Sequence, residues 1–208
     1  MENALASLTA RYGDRLVEMT CLDLASHEGY FATALARRMK HVLGVDMNAA
    51  SITAARNMAR LQGIDNVDFK LGHANALDRL DIAPADIVLV FGLIYHTEDP
   101  ITVLRHASEH CRTAMYIETQ LTNLELVGPV EWGSYRSQRP IEGTFYLVED
   151  DFNREGGTTG MALIPSAKAI AYVLSRFGFQ DVHHLEASAP WQEQLARKSR
   201  GVIAGFRT

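Results

Sequence analysis

Acidic residues at the ends of two strand-like runs are the side chains of this chain best placed to bind a small ligand. The first run leads into a turn at residues 22–31, which contains Asp23 and Gly29, and the second run closes on Asp46. A glycine-marked turn before a helix lets backbone N–H groups approach a ligand, and an acid at the tip of the next strand can accept both hydroxyls of a ribose. The pairing therefore predicts a nucleoside pocket with Asp46 as its ribose ligand. The alternative for Gly29 is tight packing of a helix on a strand, and for Asp23 it is stabilisation of the turn.

Two further side chains with reactive groups, Tyr95 and His96, follow an apolar run at residues 86–92. Ligands of open α/β sheets collect at the carboxyl ends of the strands, so both side chains are predicted to face a substrate. An imidazole titrates near neutral pH, which suits His96 to act as a base; the alternative is that it caps the next helix. Tyr95 offers its ring to a cation or its hydroxyl to the substrate, or it packs in the core. Glu118, at the end of the next apolar run, is expected at the same edge as a second base or an amine ligand, or else as surface charge.

The elements that position these residues follow from short apolar runs that alternate with stretches of helical periodicity. This alternation is typical of a parallel sheet with helices on both faces. Helices are predicted to start where Asn48, Asp99 and Ser166 can act as N-caps. The last two apolar runs indicate an antiparallel edge pair rather than another crossover. The strands are expected at residues 19–25, 41–46, 67–71, 86–92, 114–119, 181–186 and 201–206.

Residues 120–165 break this pattern, with little periodicity and many glycines, aromatic residues and charges. A stretch of that length without clear elements is typical of a lid, a binding insertion or a partly disordered segment. Its aromatic residues Trp132, Tyr135 and Tyr146 are predicted to form a wall over a substrate, with a minor core as the alternative. Arg136 is a candidate clamp for a carboxylate or phosphate, or part of a solvated loop face.

The composition of the 208-residue chain fits one α/β domain, residues 1–208, with a single sizeable core. The net charge of −5 is not typical of a nucleic-acid binder. A local basic groove remains an alternative. Cys21 and Cys111 lie far apart in sequence and are interpreted as reduced thiols. The start of the chain has no signal-peptide pattern and no apolar run approaches about 20 residues, so a soluble, cytoplasmic protein is expected.

Metal, hydrolase and nucleoside-triphosphatase chemistry find little support in the sequence. His183 and His184 are neighbours in an expected strand, where their side chains point to opposite faces, and no second ligand pair stands at zinc spacing. The chain contains neither a Gly-x-Ser-x-Gly elbow nor a Gly-Lys-Ser/Thr phosphate loop. No metal is therefore predicted.

Three motifs in this order resemble those of the class I S-adenosylmethionine-dependent methyltransferases. They are the turn at 23–31 with Asp46, the run 85–96 that ends in Tyr-His and continues to Asp99-Pro100, and Ile164-Pro165-Ser166 leading through a helix to Gly178-Phe179. The middle motif is the most specific and resembles the branch that includes wobble-uridine tRNA methyltransferases and many small-molecule enzymes. The resemblance spans about residues 19–206. It implies an α/β fold of Rossmann-like type, a three-layer sandwich whose mostly parallel seven-stranded sheet ends in an antiparallel C-terminal edge pair.

The resemblance also implies a cofactor, S-adenosyl-L-methionine (SAM), with S-adenosyl-L-homocysteine (SAH) as its product. The family usually has three glycines in the first turn, where this chain has Ala25, His27 and Gly29, and an aspartate for the adenine amino group, where this chain has His73. His73 or Asn75 is then the expected acceptor for that amino group. The implied cofactor-binding residues are Asp23, Ala25, His27, Gly29, Asp46, Met47, His73, Ala74 and Phe91.

The sequence thus predicts methyl transfer from SAM to an O or N atom of a small molecule bound under the 120–165 insertion, with His96, Tyr95 and Glu118 as the catalytic group. A tRNA acceptor is an alternative, which a strong salt dependence of binding would reveal. A scaffold that has lost the cofactor is another. An NAD-dependent oxidoreductase is a third, but it needs a glycine where His27 stands. No membrane partner is expected, and the protein is predicted to be a monomer or a homodimer.

Overall fold

One large sheet, covered by helices on both faces, organises the described part of the chain. The computed structural model describes residues 2–123, 129–132, 135–149, 159–185 and 199–208. Its strands are β1 (Thr20–Leu24), β2 (His41–Asp46), β3 (Val67–Leu71), β4 (Ala85–Phe91), β5 (Cys111–Gln120), β6 (Pro129–Trp132), β7 (Tyr135–Pro140), β8 (Phe145–Glu149), β9 (Met161–Pro165), β10 (Asp181–Leu185) and β11 (Arg200–Phe206). Within the described residues, seven of them form one sheet in the order β10-β11-β5-β4-β1-β2-β3.

The direction of the strands confirms the predicted fold class. Strands β1 to β5 run parallel, and β11 is antiparallel to both β5 and β10. The carboxyl ends of β1 to β5 therefore lie along one edge of the sheet, here called the carboxyl edge. The predicted strand at residues 181–186 ends at Leu185, and Glu186 lies outside the described residues.

The helices begin where the sequence predicts N-caps. The α-helices are α1 (Glu2–Tyr12), α2 (Tyr30–Ala36), α3 (Ala49–Leu61), α4 (Pro100–Glu109) and α5 (Ala167–Arg176), and 3-10 helices cover Gly13–Glu18, Ala74–Arg79 and Ile94–His96. Asn48, Asp99 and Ser166 each accept a hydrogen bond from a backbone N–H in the first turn of α3, α4 and α5. These bonds satisfy donors that have no partner within the helix, so the three predicted starts are confirmed. No described helix is long and apolar enough to span a membrane.

Apolar side chains cover both faces of the sheet. Cys21 belongs to a buried cluster that includes residues of α1, α2 and α3, whereas its neighbour Leu22 belongs to a cluster with residues of α4 and α5. Successive side chains of a strand point to opposite faces, so a sheet that is buried on both faces reads as a continuous apolar run. The pattern that predicted these strands therefore has a direct cause in the packing.

The 120–165 segment contains more regular structure than the sequence indicates. In its described part, β6 pairs with β7 and β8 pairs with β9, each as an antiparallel hairpin. Strand β7 reads Tyr-Arg-Ser-Gln-Arg-Pro, which lacks the alternation of apolar and polar residues that marks a strand. The β8–β9 hairpin attaches beside the carboxyl edge, because the N–H of Leu163 donates to the carbonyl oxygen of Thr97 at 3.1 Å.

Candidate functional site

The turn that follows β1 has a left-handed backbone at three positions. Ala25, His27 and Gly29 have φ angles of 57°, 50° and 78°. This conformation costs a residue with a Cβ about 1–2 kcal/mol, whereas glycine adopts it readily. The turn is fixed to β2, because the N–H of Ser26 donates to the carbonyl oxygen of Val45 at 3.0 Å. Two of the three positions are thus held in a conformation that glycine would adopt more easily.

Gly29 is required by packing as well as by its backbone angle. A Cβ at this position would lie 2.5 Å from the Cζ of Phe69, on β3, and 3.1 Å from the Cβ of Ala55, on α3. Such short approaches are strongly repulsive, since non-bonded carbon atoms prefer separations of about 3.5–4.0 Å. The packing interpretation of this glycine is therefore supported, whether or not a ligand binds nearby.

Asp46 connects the turn after β1 with the turn after β2. Its Oδ2 accepts the N–H of His27 and its Oδ1 accepts the N–H of Asn48, each at 2.8 Å. The residue is buried. Each carboxylate oxygen has two acceptor positions, so each can take one more hydrogen bond. The carboxylate is thus oriented by the chain itself and keeps the capacity to accept two hydroxyl groups.

Asp23 lies within β1 rather than in the turn, which corrects the position expected from the sequence. It is 1% exposed, and among the described residues neither of its carboxylate oxygens has a hydrogen-bond partner. Burial raises its pKa from 3.8 to about 7; the nearby backbone N–H of Ala32 opposes the rise without reaching hydrogen-bond geometry, and the charge of Asp46 adds to it. A cationic ligand would compensate the negative charge of this buried carboxylate.

The other predicted cofactor residues lie along the same carboxyl edge. The sheet order places His73 after β3, Met47 after β2 and Phe91 at the end of β4. Met47 is exposed and Phe91 is buried. The Nδ1 of His73 accepts the N–H of Asn75 at 3.1 Å, and Ala74 lies between these two residues. The structure therefore sets the predicted cofactor residues in a row from β3 to β4.

Tyr95 and His96 form part of the 3-10 helix that follows β4. Tyr95 is buried, and its ring centroid lies 4.0 Å from that of His96. The hydroxyl oxygen of Tyr95 accepts a hydrogen bond from Nη2 of Arg200 at 2.7 Å, and the guanidinium carbon lies 5.0 Å from the ring centroid. Arg200 begins β11 and was missed by the sequence analysis, because it stands 105 positions from Tyr95 and no spacing connects the two.

Glu118 is paired with the same arginine. Its Oε1 lies 2.6 Å from Nε of Arg200 and its Oε2 lies 3.0 Å from Nη2, and Oε2 also accepts the N–H of Gly92 at 3.2 Å. The hydrogen bond to Glu118 is the main cause that raises the pKa of Arg200, so the guanidinium stays charged. A carboxylate with three donors is better suited to hold the loop after β4 than to accept a proton. The geometry favours a positioning role for Glu118 over the expected role of second base.

The predicted wall of the substrate site lies on β6, β7 and β8. Trp132, Tyr135 and Arg136 lie on β6 and β7, where the structure describes the backbone but not these side chains. Tyr146 is half-buried on β8, opposite Ile164 of β9. The wall over a substrate stays a prediction.

A surface cavity of about 460 Å³ lies along α3 and β3 and is lined by none of the predicted site residues. In the described ranges, no three His, Cys, Asp or Glu side chains are grouped so that they could hold a metal ion.

Comparison with known proteins decides the family. A family model described as a methyltransferase domain matches residues 16–130, which is more than half of the chain. The chain belongs to the methyltransferase domain family. The matched range runs from before β1 to β6, so it contains the turn at 23–31, Asp46, His73 and the Tyr95–His96 pair.

Individual relatives match about two fifths of the chain. An uncharacterized RNA methyltransferase of Gloeobacter violaceus is 38% identical over 86 residues, which are 41% of this chain and 18% of that protein. A ubiquinone biosynthesis O-methyltransferase of Maricaulis maris is 36% identical over 93 residues, 44% of this chain and 36% of that protein. The chain thus matches well under half the length of either protein.

A solved structure matches the whole chain in fold. The N-terminal domain of EvdMO1, crystallised in the presence of SAH and D-fucose, superposes with a TM-score of 0.73 at 19% identity, over 100% of this chain and 84% of that chain. This confirms the fold and, with the family match, the resemblance to class I methyltransferases. The departures at Ala25 and His27 are therefore departures of residue type, since both keep the left-handed backbone of a glycine.

Proposed function

We propose that this methyltransferase-family chain binds SAM along the carboxyl edge and catalyses transfer of its methyl group to an O or N atom of a small molecule. The observation that carries the proposal is the buried carboxylate of Asp23, which has no hydrogen-bond partner among the described residues. It stands one strand away from Asp46, whose carboxylate keeps two acceptor positions. A ligand with a cationic group and a vicinal diol complements this pair, and SAM carries an ammonium group and a ribose.

The residues of the edge fit such a cofactor. Asp46 would accept the two ribose hydroxyls, and Asp23 would compensate the charge of the ammonium group directly or through water. The turn at Ala25, His27 and Gly29 brings backbone close to the ligand, as its left-handed angles allow. When bound, the cofactor would supply a methyl group on a positively charged sulfur. The neutral thioether would be the leaving group when the acceptor atom attacks that methyl group in line.

The chain contributes alignment and proton removal on the acceptor side. Tyr95, held by Arg200, presents a fixed aromatic ring beside His96. A hydroxyl or ammonium acceptor loses one proton on methylation, and His96 takes it as a general base. The Glu118–Arg200 pair holds the loop that carries both residues, because Glu118 accepts the N–H of Gly92 at the start of that loop. Positioning of this kind supplies a large part of the rate of a displacement reaction.

The acceptor is proposed to be a small molecule that lies under the 120–165 segment. The β8–β9 hairpin is anchored next to His96 by two contacts, from the N–H of Leu163 to Thr97 and from Oγ1 of Thr159 to Oε2 of Glu98 at 2.6 Å. The ubiquinone O-methyltransferase relative favours an oxygen acceptor. We further propose that residues 1–208 act as one methyltransferase domain in the cytoplasm, consistent with the free thiols of the two cysteines; cell fractionation tests the location.

An RNA acceptor is the second candidate, favoured by the relative that is an RNA methyltransferase. The net charge of −5 opposes it, because nucleic-acid binding depends mainly on basic residues that neutralise phosphates. Titration with a tRNA pool at two salt concentrations separates the candidates. Tight binding that falls steeply with salt supports RNA, whereas absence of binding at low salt supports the small-molecule acceptor.

Isothermal titration with SAM, SAH and NADH tests the cofactor proposal. We expect saturable binding of SAM and SAH, no binding of NADH, and at least about tenfold weaker binding to Asp46→Ala, equivalent to about 1.4 kcal/mol. Asp68→Ala is the matched control, since Asp68 is an exposed acid of β3 that pairs with His41 and lies outside the site. Equal binding to the wild type and Asp46→Ala would contradict the proposed pocket. Absence of SAM and SAH binding would support a scaffold without cofactor instead.

A further inference from the structure

The hydrogen bond between His73 and Asn75 determines which ring nitrogen of His73 carries a proton. The backbone N–H of Asn75 points to Nδ1 at 3.1 Å. A backbone N–H can only donate, so Nδ1 is the acceptor and has no proton. In a neutral imidazole the proton is then on Nε2. Because the residue is exposed, this Nε2–H group is available to a ligand. His73 therefore presents a hydrogen-bond donor at the carboxyl edge.

The position of His73 places this donor at the base end of the proposed cofactor. In the sheet, β2 lies between β1 and β3, and the N–H of Gly72 donates to the carbonyl oxygen of Asp46 at 2.9 Å. His73 is thus the residue directly after a contact with the ribose-binding acid. A nucleoside whose amino-acid group lies at Asp23 of β1, with its ribose at Asp46 of β2, extends its base toward β3. Met47, which is exposed beside Asp46, lies on the same path.

We infer that His73 reads the purine base as a donor, so that the site accepts a 6-oxopurine nearly as well as adenine. The inference rests on the proposed function, because it concerns the base end of the same cofactor. Adenine offers an acceptor at N1 and a donor at its 6-amino group, and Nε2–H of His73 complements N1 only. In hypoxanthine the oxygen at C6 is an acceptor that the same donor can reach. This reverses the sequence-based expectation that His73 accepts a hydrogen bond from the amino group.

Two substitutions keep the contact to Asn75 and change only the outward group. In His73→Asn, the side-chain oxygen can accept the N–H of Asn75 while the amide NH₂ remains a donor. In His73→Asp, one carboxylate oxygen can accept that N–H while the other becomes an outward acceptor. Asparagine and aspartate are the side chains that most readily accept N–H groups at such a turn, so both variants are expected to fold. Thermal unfolding of each variant checks this.

The experiment measures the affinities of SAH and S-inosyl-L-homocysteine, its 6-oxopurine analogue, by isothermal titration. We expect the two ligands to bind within about threefold of each other to the wild type and to His73→Asn, and His73→Asp to prefer SAH by at least about tenfold, or 1.4 kcal/mol. A wild type that prefers SAH by tenfold or more would overturn the inference while leaving the proposed function intact. If SAH does not bind the wild type at all, the proposed function fails and this inference fails with it.

Discussion

The backbone N–H of His27 lies 2.8 Å from Oδ2 of Asp46, so the acid at the end of β2 holds the turn that follows β1. The other oxygen of Asp46 holds the start of the segment that leads into α3, through the N–H of Asn48. One carboxylate therefore orders two of the segments that the proposed cofactor must contact. Substitution of Asp46 is expected to affect the fold of the site as well as its affinity.

Asp46→Asn tests the structural role of this carboxylate. Asparagine keeps one acceptor oxygen but replaces the other with an NH₂ group, which faces the N–H of either His27 or Asn48. We expect the free energy of unfolding to fall by about 1–3 kcal/mol, because a buried donor loses its acceptor. Urea unfolding monitored by circular dichroism measures the loss. A variant as stable as the wild type would show that these two hydrogen bonds do not hold the turns.

The left-handed residues of the turn predict that glycine stabilises the protein. Ala25→Gly and His27→Gly each remove a strain of about 1–2 kcal/mol, partly offset by about 0.5–1 kcal/mol from the greater freedom of glycine in the unfolded chain. We expect each variant to be more stable by up to about 1 kcal/mol in urea unfolding. Ala54→Gly, inside α3, is the matched control and should lose about 1 kcal/mol. Destabilisation by both turn substitutions would show that the turn is not strained.

The ion pair between Arg200 and Glu118 predicts that substitutions of these two residues have coupled effects on stability. Arg200→Met leaves Glu118 as a half-buried charge without its partner, so we expect a loss of about 1–3 kcal/mol in unfolding free energy. The double variant Arg200→Met/Glu118→Gln should lose less than the sum of the two single variants, since it removes both charges. Strict additivity in urea unfolding would contradict the pairing.

The contact between Arg200 and Tyr95 also predicts an effect on activity that is independent of stability. Tyr95→Phe removes the hydroxyl that accepts from Arg200 but keeps the aromatic ring. We expect SAH affinity to stay within about threefold of the wild-type value, while turnover of an identified acceptor falls at least about tenfold. The comparison of SAH titration with the methylation rate separates the acceptor side from the cofactor side. Equal losses in both would place Tyr95 in the cofactor pocket instead.

Asp23 predicts a specific dependence of stability on pH. Its pKa is about 7 in the folded state and near 3.8 in the unfolded state, so between these values the folded state binds more protons. The contribution of Asp23 to the free energy of unfolding is then fully present below about pH 4 and is lost as the pH rises toward 7. Above pH 7 it no longer changes, and the total loss is of the order of 4 kcal/mol. Asp23→Asn cannot titrate and should lack this slope. Urea midpoints between pH 4 and pH 8 for both proteins measure it, and parallel curves would contradict the shifted pKa.

The sheet and its caps could be predicted because they depend on local patterns. Strands buried on both faces read as apolar runs, and Asn48 and Asp99 cap helices through bonds to residues two or three positions away. The β6–β7 hairpin could not be predicted in this way, since β7 has no alternation of apolar residues. Its pairing depends on contacts between strands rather than on local sequence.

The candidate site shows the same division. The places of Asp46 and Gly29 in the site can be predicted from sequence, because both stand at the ends of predicted elements. The place of Arg200 cannot be predicted in this way, because Arg200 and Glu118 stand 82 positions apart in sequence. They meet because β11 pairs antiparallel with β5. The proton position on His73 also depends on a contact that only the folded turn makes. Sequence thus indicates which strand ends meet. The partners of Arg200 depend on the register of the sheet, and the proton position of His73 depends on the conformation of one turn.

The most direct test of the proposed site is the proton balance of SAH binding at pH 6. At this pH, Asp23 with a pKa of about 7 is mostly protonated in the free protein, and pairing with the ammonium group of the ligand requires its ionised form. Isothermal titration in two buffers of different ionisation enthalpy should therefore show the release of close to one proton for the wild type and none for Asp23→Asn. SAH binding without proton release by the wild type, or with equal release by both proteins, would contradict the assignment of Asp23 to the cofactor.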